Sequence, residues 1–230
     1  HQHVETHSEY FRQREYARRI KGFIGLQKCT AAIRQLAYGM ATDALDEYLH
    51  MSATTSRDCL QHFCKGIISR YGKKYLRKPT LHDIQVLYAC HESYHGFPGM
   101  MGSLDCTHWS WRNCPTAWRG QYQRGDHEHP TIFLQAVASQ DLWIWDAYFG
   151  AAGSNNDINV LNMSQLFEDV YSGKAPDSSF EVNGSSYRFG YYLVDGIYPE
   201  WATLIKAPSN PIEEKQIKFK TWQESARKDI

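Results

Sequence analysis

Gly99-Met-Met-Gly-Ser-Leu-Asp105-Cys-Thr-His-Trp109 places a single acidic side chain at the end of an otherwise apolar run. Met100, Met101 and Leu104 precede it, and a polar loop rich in tryptophan follows: Thr107, His108, Trp109, Trp111 and Arg112. That is the layout of a central strand delivering a carboxylate to the edge of a sheet, where the sites of open α/β folds gather. A second stretch is built alike. Tyr191-Tyr-Leu-Val194-Asp195-Gly-Ile-Tyr-Pro199 is aromatic and aliphatic up to Asp195, then breaks at Gly196 and Pro199. Two strands that each end in Asp suit a divalent ion such as Mg²⁺ or Mn²⁺, which takes oxygen ligands and shares them with phosphate. The plainer alternative is that one Asp caps a turn and the other is ion-paired.

Around these strands the pattern alternates. Thr131–Ser139 and Leu142–Phe149 read as a hairpin turning at Gln140-Asp141, with a loop over 150–156 and a helix from Asp157. Phe180–Val182, Tyr187–Val194 and Trp201–Ile205 return to strand, and 213–230 is polar and helix-compatible. Upstream the period is helical. Leu26, Cys29, Ile33, Leu36 and Ala37 form a stripe that stops at Gly39, and Thr42 begins a short helix. Leu60, Phe63, Cys64, Ile67, Ile68 and Tyr71 follow a cap expected at Ser56. Another helix starts at Pro79-Thr80 and runs to Cys90, after which Gly96, Pro98 and Gly99 break the pattern. The expected organisation is a helical, helix-turn-helix-like region over 1–95 and a mixed α/β, ribonuclease-H-like body over 96–230.

Composition narrows the function classes. At 42% hydrophobic and 14% aromatic the chain can bury a sizeable core, and no apolar run reaches the roughly 18 residues of a membrane span. Six cysteines lack the CxxC pairs or regular spacing of a disulfide framework, which points to a reducing compartment. A zinc site drawn from Cys90, His91, His95, Cys106 or His108 has irregular spacing. Net charge is zero, yet residues 1–88 carry 14 Lys+Arg against 8 Asp+Glu while 89–230 carry 11 against 17. A basic arm beside an acidic body fits a polyanion partner, and a solvated helix face gives similar counts.

The helix around Arg57–Arg70 reads as a DNA-facing element, with Arg57, Lys65 and Arg70 outward and Lys73 and Lys74 following, or as an ordinary bundle helix with a basic rim. Trp109, Trp111, Arg112, Trp118 and Arg119 stack on and clamp nucleotides, or pack a core. The basic stretch that includes Arg12, Arg14, Arg18, Arg19 and Lys21 is a surface helix or an arm. His1 is not a start residue and Ile230 falls within a helical pattern, so a longer parent chain is expected.

Five blocks in order carry a family likeness: 99–109, Asn113-Cys-Pro-Thr-Ala-Trp118, Ala136–Trp145, Gly153-Ser-Asn-Asn-Asp-Ile-Asn-Val-Leu161 and Gly190–Pro199. Together they resemble the plant branch of the PIF/Harbinger transposases and their nuclease-like derivatives, over about Leu26 to the end. The resemblance implies a DDE core on a ribonuclease-H-like fold, with the first acid at Asp105 and the second at Asp195. It puts the third in a phrase like Gln223-Glu-Ser-Ala-Arg-Lys-Asp-Ile230 followed directly by Glu; Glu224 and Asp229 do not match that position. Asp157 falls in the fourth block, either as a carboxylate supporting the metals or as a helix N-cap.

The chemistry so implied is two-metal phosphodiester hydrolysis and strand transfer at transposon ends, with Asp105 and Asp195 as catalytic metal ligands. Implied partners are DNA (terminal repeats and target site), a Myb/SANT-like protein and a second copy of the chain, in the nucleus. The competing class is a domesticated, catalytically silent DNA- or chromatin-binding protein of the same origin.

Overall fold

The computed structural model describes residues 5–6, 8–16, 19–39 and 41–228, so Arg18, Asp229 and Ile230 lie outside the described residues. Two compact units divide between Leu76 and Arg77.

The first unit is helical. A 3-10 turn, Glu9–Phe11, precedes α1 (Gly25–Tyr38); a second, Thr42–Leu45, leads into α2 (Asp46–Leu49) and then α3 (Ala53–Tyr75). α1 ends at Gly39, in the left-handed conformation at φ 59° that favours glycine at a C-cap. The face α1 buries is not the expected one. Cys29 is buried, but Leu26, Ile33 and Leu36 are 50%, 51% and 58% exposed, and the inward residues are Ala31, Ala32, Lys28 and Gln35. Small side chains let α1 approach α3 closely, and the close approach selects the face that the larger aliphatics would have claimed. The α3 cap also differs from expectation. Ser52 caps it, accepting from the Thr55 N–H at 3.4 Å, whereas Ser56 is buried beneath the Gln35 amide, which donates to Ser56 Oγ at 3.1 Å.

The second unit opens with α4 (Leu81–His95). Thr80 and Asp83 form a reciprocal capping box at its start, and Arg77 holds Asp83 with two hydrogen bonds of 2.6 and 3.0 Å. This helix, grouped by sequence with the N-terminal helices, belongs to the second unit: Tyr88 Oη donates to Ser178 O at 2.9 Å, and α4 lies against the first strand.

That strand is β1 (Met100–Ser110); α5 (Thr116–Tyr122), β2 (Thr131–Ala138), β3 (Ile144–Ala152), α6 (Asp157–Met163) and α7 (Glu168–Tyr171) follow. A small hairpin of β4 (Phe180–Val182) and β5 (Ser185–Tyr187) stands apart from the main sheet, and β6 (Tyr191–Val194), β7 (Leu204–Lys206) and α8 (Glu214–Lys228) complete the unit. The sheet is five-stranded and mixed, in the order β3-β2-β1-β6-β7. β1, β2 and β3 pair antiparallel, while β6 pairs parallel with both β1 and β7.

Both faces are covered, which explains the nearly unbroken apolar runs of β1 and β6. Leu104 and Val194 pack with Leu161, Phe167 and Tyr198 on one face; Met100 and Leu193 pack with Phe97 and Ala226 of α8 on the other. All six cysteines are free. Among the described residues no helix is long and apolar enough to cross a membrane.

Candidate active site

Strand register brings the two aspartates together. Gly102 lies opposite Tyr192 and Ser103 opposite Leu193 in the parallel β1/β6 pair, so the same register continued by two residues sets Asp105 opposite Asp195. Neighbouring strands run about 4.8 Å apart. The register depends on a bulge between Met100 and Gly102, where two residues of β1 advance against one of β6. Gly102 has φ 152°, and a Cβ there would meet the Ala138 carbonyl oxygen at 2.3 Å, so the bulge needs glycine.

Each carboxylate is anchored by one oxygen to its own chain. Asp105 Oδ1 accepts from the Cys106 N–H at 2.9 Å, and Asp195 Oδ1 accepts from the Ile197 N–H at 2.8 Å across the turn after β6. Asp195 Oδ2 faces Arg227 Nη1 at 3.8 Å, a cation brought by the last turn of α8. Gln223, one turn earlier and only 1% exposed, donates to Val194 O at 2.9 Å and Ile205 O at 3.1 Å, tying α8 to the ends of β6 and β7.

Asp157 opens α6. The cap role considered for it belongs to Asn156, whose side-chain oxygen accepts from the Asn159 N–H at 2.8 Å. Burial raises the Asp157 pKa above the usual carboxylate value, and the negative charges of Asp105 and Asp195 raise it further; Arg124 opposes them. Three carboxylates thus share one electrostatic neighbourhood. Close by, Tyr198 Oη donates to Cys106 Sγ at 3.3 Å, and burial pushes the Cys106 thiol up to about 11, leaving it a protonated, packed sulfur rather than a nucleophile.

Beyond Asp105 the aromatic residues form two groups. Trp109 is 62% exposed and edge-on to Phe149 at 6.3 Å. Trp111 sits among Trp118 at 5.9 Å and Tyr122 at 5.1 Å, so part of that group is self-packed. Arg112 and Arg119 are exposed. His108 is half-buried, 2.8 Å from Thr131 Oγ1 through Nδ1 and tilted against His127 with ring centres 4.3 Å apart; its pKa is lowered by burial first and by His127 second. Arg57, Lys65, Arg70, Lys73 and Lys74 are all exposed on α3 of the first unit.

Sequence reasoning missed Arg227 and Arg124. Nothing in the local pattern separates either from a solvated surface arginine; only the tertiary placement of α8 and of the loop before β2 does. Among the described residues no group of three or more His, Cys, Asp or Glu is arranged to hold a metal ion, and the scattered Cys/His zinc set is not assembled.

Neither a curated protein nor a solved structure matches the chain. The sequence profile of the family described as plant transposon protein matches residues 73–230, which contain Asp105, Asp195, Asp157 and all of α8, and on that match over more than half its length the chain belongs to the plant transposon protein family.

Proposed function

We propose that this protein is a metal-dependent DNA strand-cleaving and strand-joining enzyme of the DDE type, built on a ribonuclease-H-like body. The observation that carries the reading is the β1/β6 register, Ser103 opposite Leu193, which extended by two residues carries Asp105 of β1 and Asp195, just past β6, to corresponding positions on neighbouring segments. The donor set fits Mg²⁺ or Mn²⁺: such ions take one or two protein carboxylates and complete their shell with water and substrate phosphate, so a three-residue protein cage is not required. When bound, the ions neutralise phosphate charge and activate the attacking oxygen.

The chain's own part is to position and to balance charge. The N–H groups of Cys106 and Ile197 fix one oxygen of each aspartate and so orient the other toward the site. Arg227 is placed to neutralise a phosphate that approaches Asp195. Asp157 adds negative charge that favours cation binding. A third carboxylate supplied just after Ile230 would complete the set. Trp109 near the end of β1 and Trp111, Arg112 and Arg119 beyond it contact DNA, and the exposed cations of α3, in a helix-turn-helix-like region, add affinity for the backbone.

The test uses the protein extended through the residue after Ile230, its Myb/SANT-like partner and DNA carrying element ends. Mg²⁺-dependent cleavage is expected for wild type and is lost in Asp105→Ala and Asp195→Ala with DNA binding retained. No cleavage by wild type, with binding intact in all three, would instead make the protein a silent DNA- or chromatin-binding derivative.

A further inference from the structure

A groove of about 580 Å³ lies between α8 and the β4–β5 hairpin, within the size range of ligand sites. Its walls are aromatic. Phe180 and Tyr187 are stacked at 5.3 Å and 20°, Phe97 meets Phe219 edge-on at 6.0 Å, and Trp222 closes the α8 side. Tyr187 and Trp222 are 49% and 51% exposed, so two ring faces remain open to solvent. Among the described residues, the charged side chains lining the groove are Lys215 and Lys218, and Lys218 Nζ stands 4.9 Å from the Trp222 ring centre. Positions 215, 218, 219 and 222 share one helical face, so α8 presents both cations and both rings on the same side.

We propose that this groove takes an unpaired nucleobase, with Trp222 and Tyr187 as stacking faces and Lys215 and Lys218 holding the flanking phosphates. An apolar, aromatic groove rimmed by two lysines, with no carboxylate in its lining among the described residues, complements a base attached to a phosphate backbone. The same helix carries Arg227 to Asp195. At 1.5 Å rise per residue, Trp222 lies about 7.5 Å and Lys215 about 18 Å along the axis from Arg227, or roughly two to five stacked nucleotide steps. The inference rests on the proposed function in one respect, that DNA reaches Asp195; it extends that reading to a base held open beside the cleaved bond.

The test measures binding without metal, in EDTA, so it does not depend on catalysis. Probes are a fluorescent oligodeoxythymidine of about ten nucleotides, the same backbone with abasic residues, and a blunt duplex. Trp222→Ala should weaken oligodeoxythymidine binding roughly tenfold, Trp222→Tyr should restore most of it, and binding of the abasic strand and the duplex should stay unchanged. Lys218→Ala should weaken both single strands alike. Wild-type affinity in Trp222→Ala, or an equal loss on the abasic strand, would overturn the proposal; so would binding of an acidic amphipathic peptide in place of oligodeoxythymidine. A Mg²⁺-dependent cleavage assay on the wild type separates the two readings: base-dependent binding by a wild type that cleaves no DNA sinks the catalytic reading alone, and wild-type cleavage together with oligodeoxythymidine binding of Trp222→Ala indistinguishable from wild type sinks this one alone.

Discussion

Arg227 Nη1 lies 3.8 Å from Asp195 Oδ2, an ion pair joining the last turn of α8 to the residue that follows β6. Asp195 is 45% exposed and Arg227 24%, so the pair contributes under about 1 kcal/mol to stability. Its larger effect is electrostatic. With Arg227→Ala, Asp105, Asp157 and Asp195 lose a compensating cation, and Mg²⁺ should then raise the melting temperature more in the variant than in wild type. Thermal melts with and without 10-fold steps of Mg²⁺ check this; an equal shift in both proteins would show that Arg227 does not sense the site.

Gln223 is a structural tie whose loss should be costly. Replacing it with leucine leaves the carbonyls of Val194 and Ile205 without their amide partner in a buried place. About 1–3 kcal/mol of destabilisation is expected. Chemical denaturation measures it, and hydrogen exchange should show faster opening in β6 and α8 than in β2 and β3.

Acid should weaken the second unit through His91. The side chain is fully buried on α4, 3.4 Å from His95 through the two Nδ1 atoms, and its pKa is lowered to about 4, by burial first and by His95 second. The unfolded chain takes up this proton near pH 6.5, whereas the folded chain resists it until about pH 4. Stability is therefore complete above pH 6.5 and falls as pH drops toward the folded value, by about 2 kcal/mol between pH 7.5 and 5. His91→Leu should flatten that part of the pH profile in denaturant titrations.

At Gly102 an alanine would carry its Cβ to 2.3 Å from the Ala138 carbonyl oxygen and require the residue to hold φ 152°. A loss of at least about 2 kcal/mol is expected. Far-ultraviolet circular dichroism with denaturant separates a repacked sheet from simple unfolding.

What could be read from the residues follows from how local the cause is. The strand end before Asp195 was visible because an apolar run and its break are local, and the β2–β3 hairpin because two alternating runs flank a short polar turn. The end expected at Asp105 was wrong: β1 continues to Ser110, because pairing with β2 carries the strand through Thr107, His108 and Trp109 although their side chains are polar or exposed. The buried face of α1 was not, since Ala31 and Ala32 won by packing closeness rather than by hydrophobicity. Asn156 and Asp157 are equally good caps in composition, and backbone geometry alone divides the roles. Arg227 and Arg124 acquire meaning only when distant segments meet.

The bulge at Gly102 bears on how copies of such a gene would decay. Because the face each side chain of β1 presents is set by that one-residue offset, a mutation at position 102 would rotate the strand's pattern out of phase with β6 while leaving every acidic codon intact. The proposed chemistry would be lost there with Asp105 and Asp195 still in place, so a census that counts surviving aspartates would score such a copy as whole.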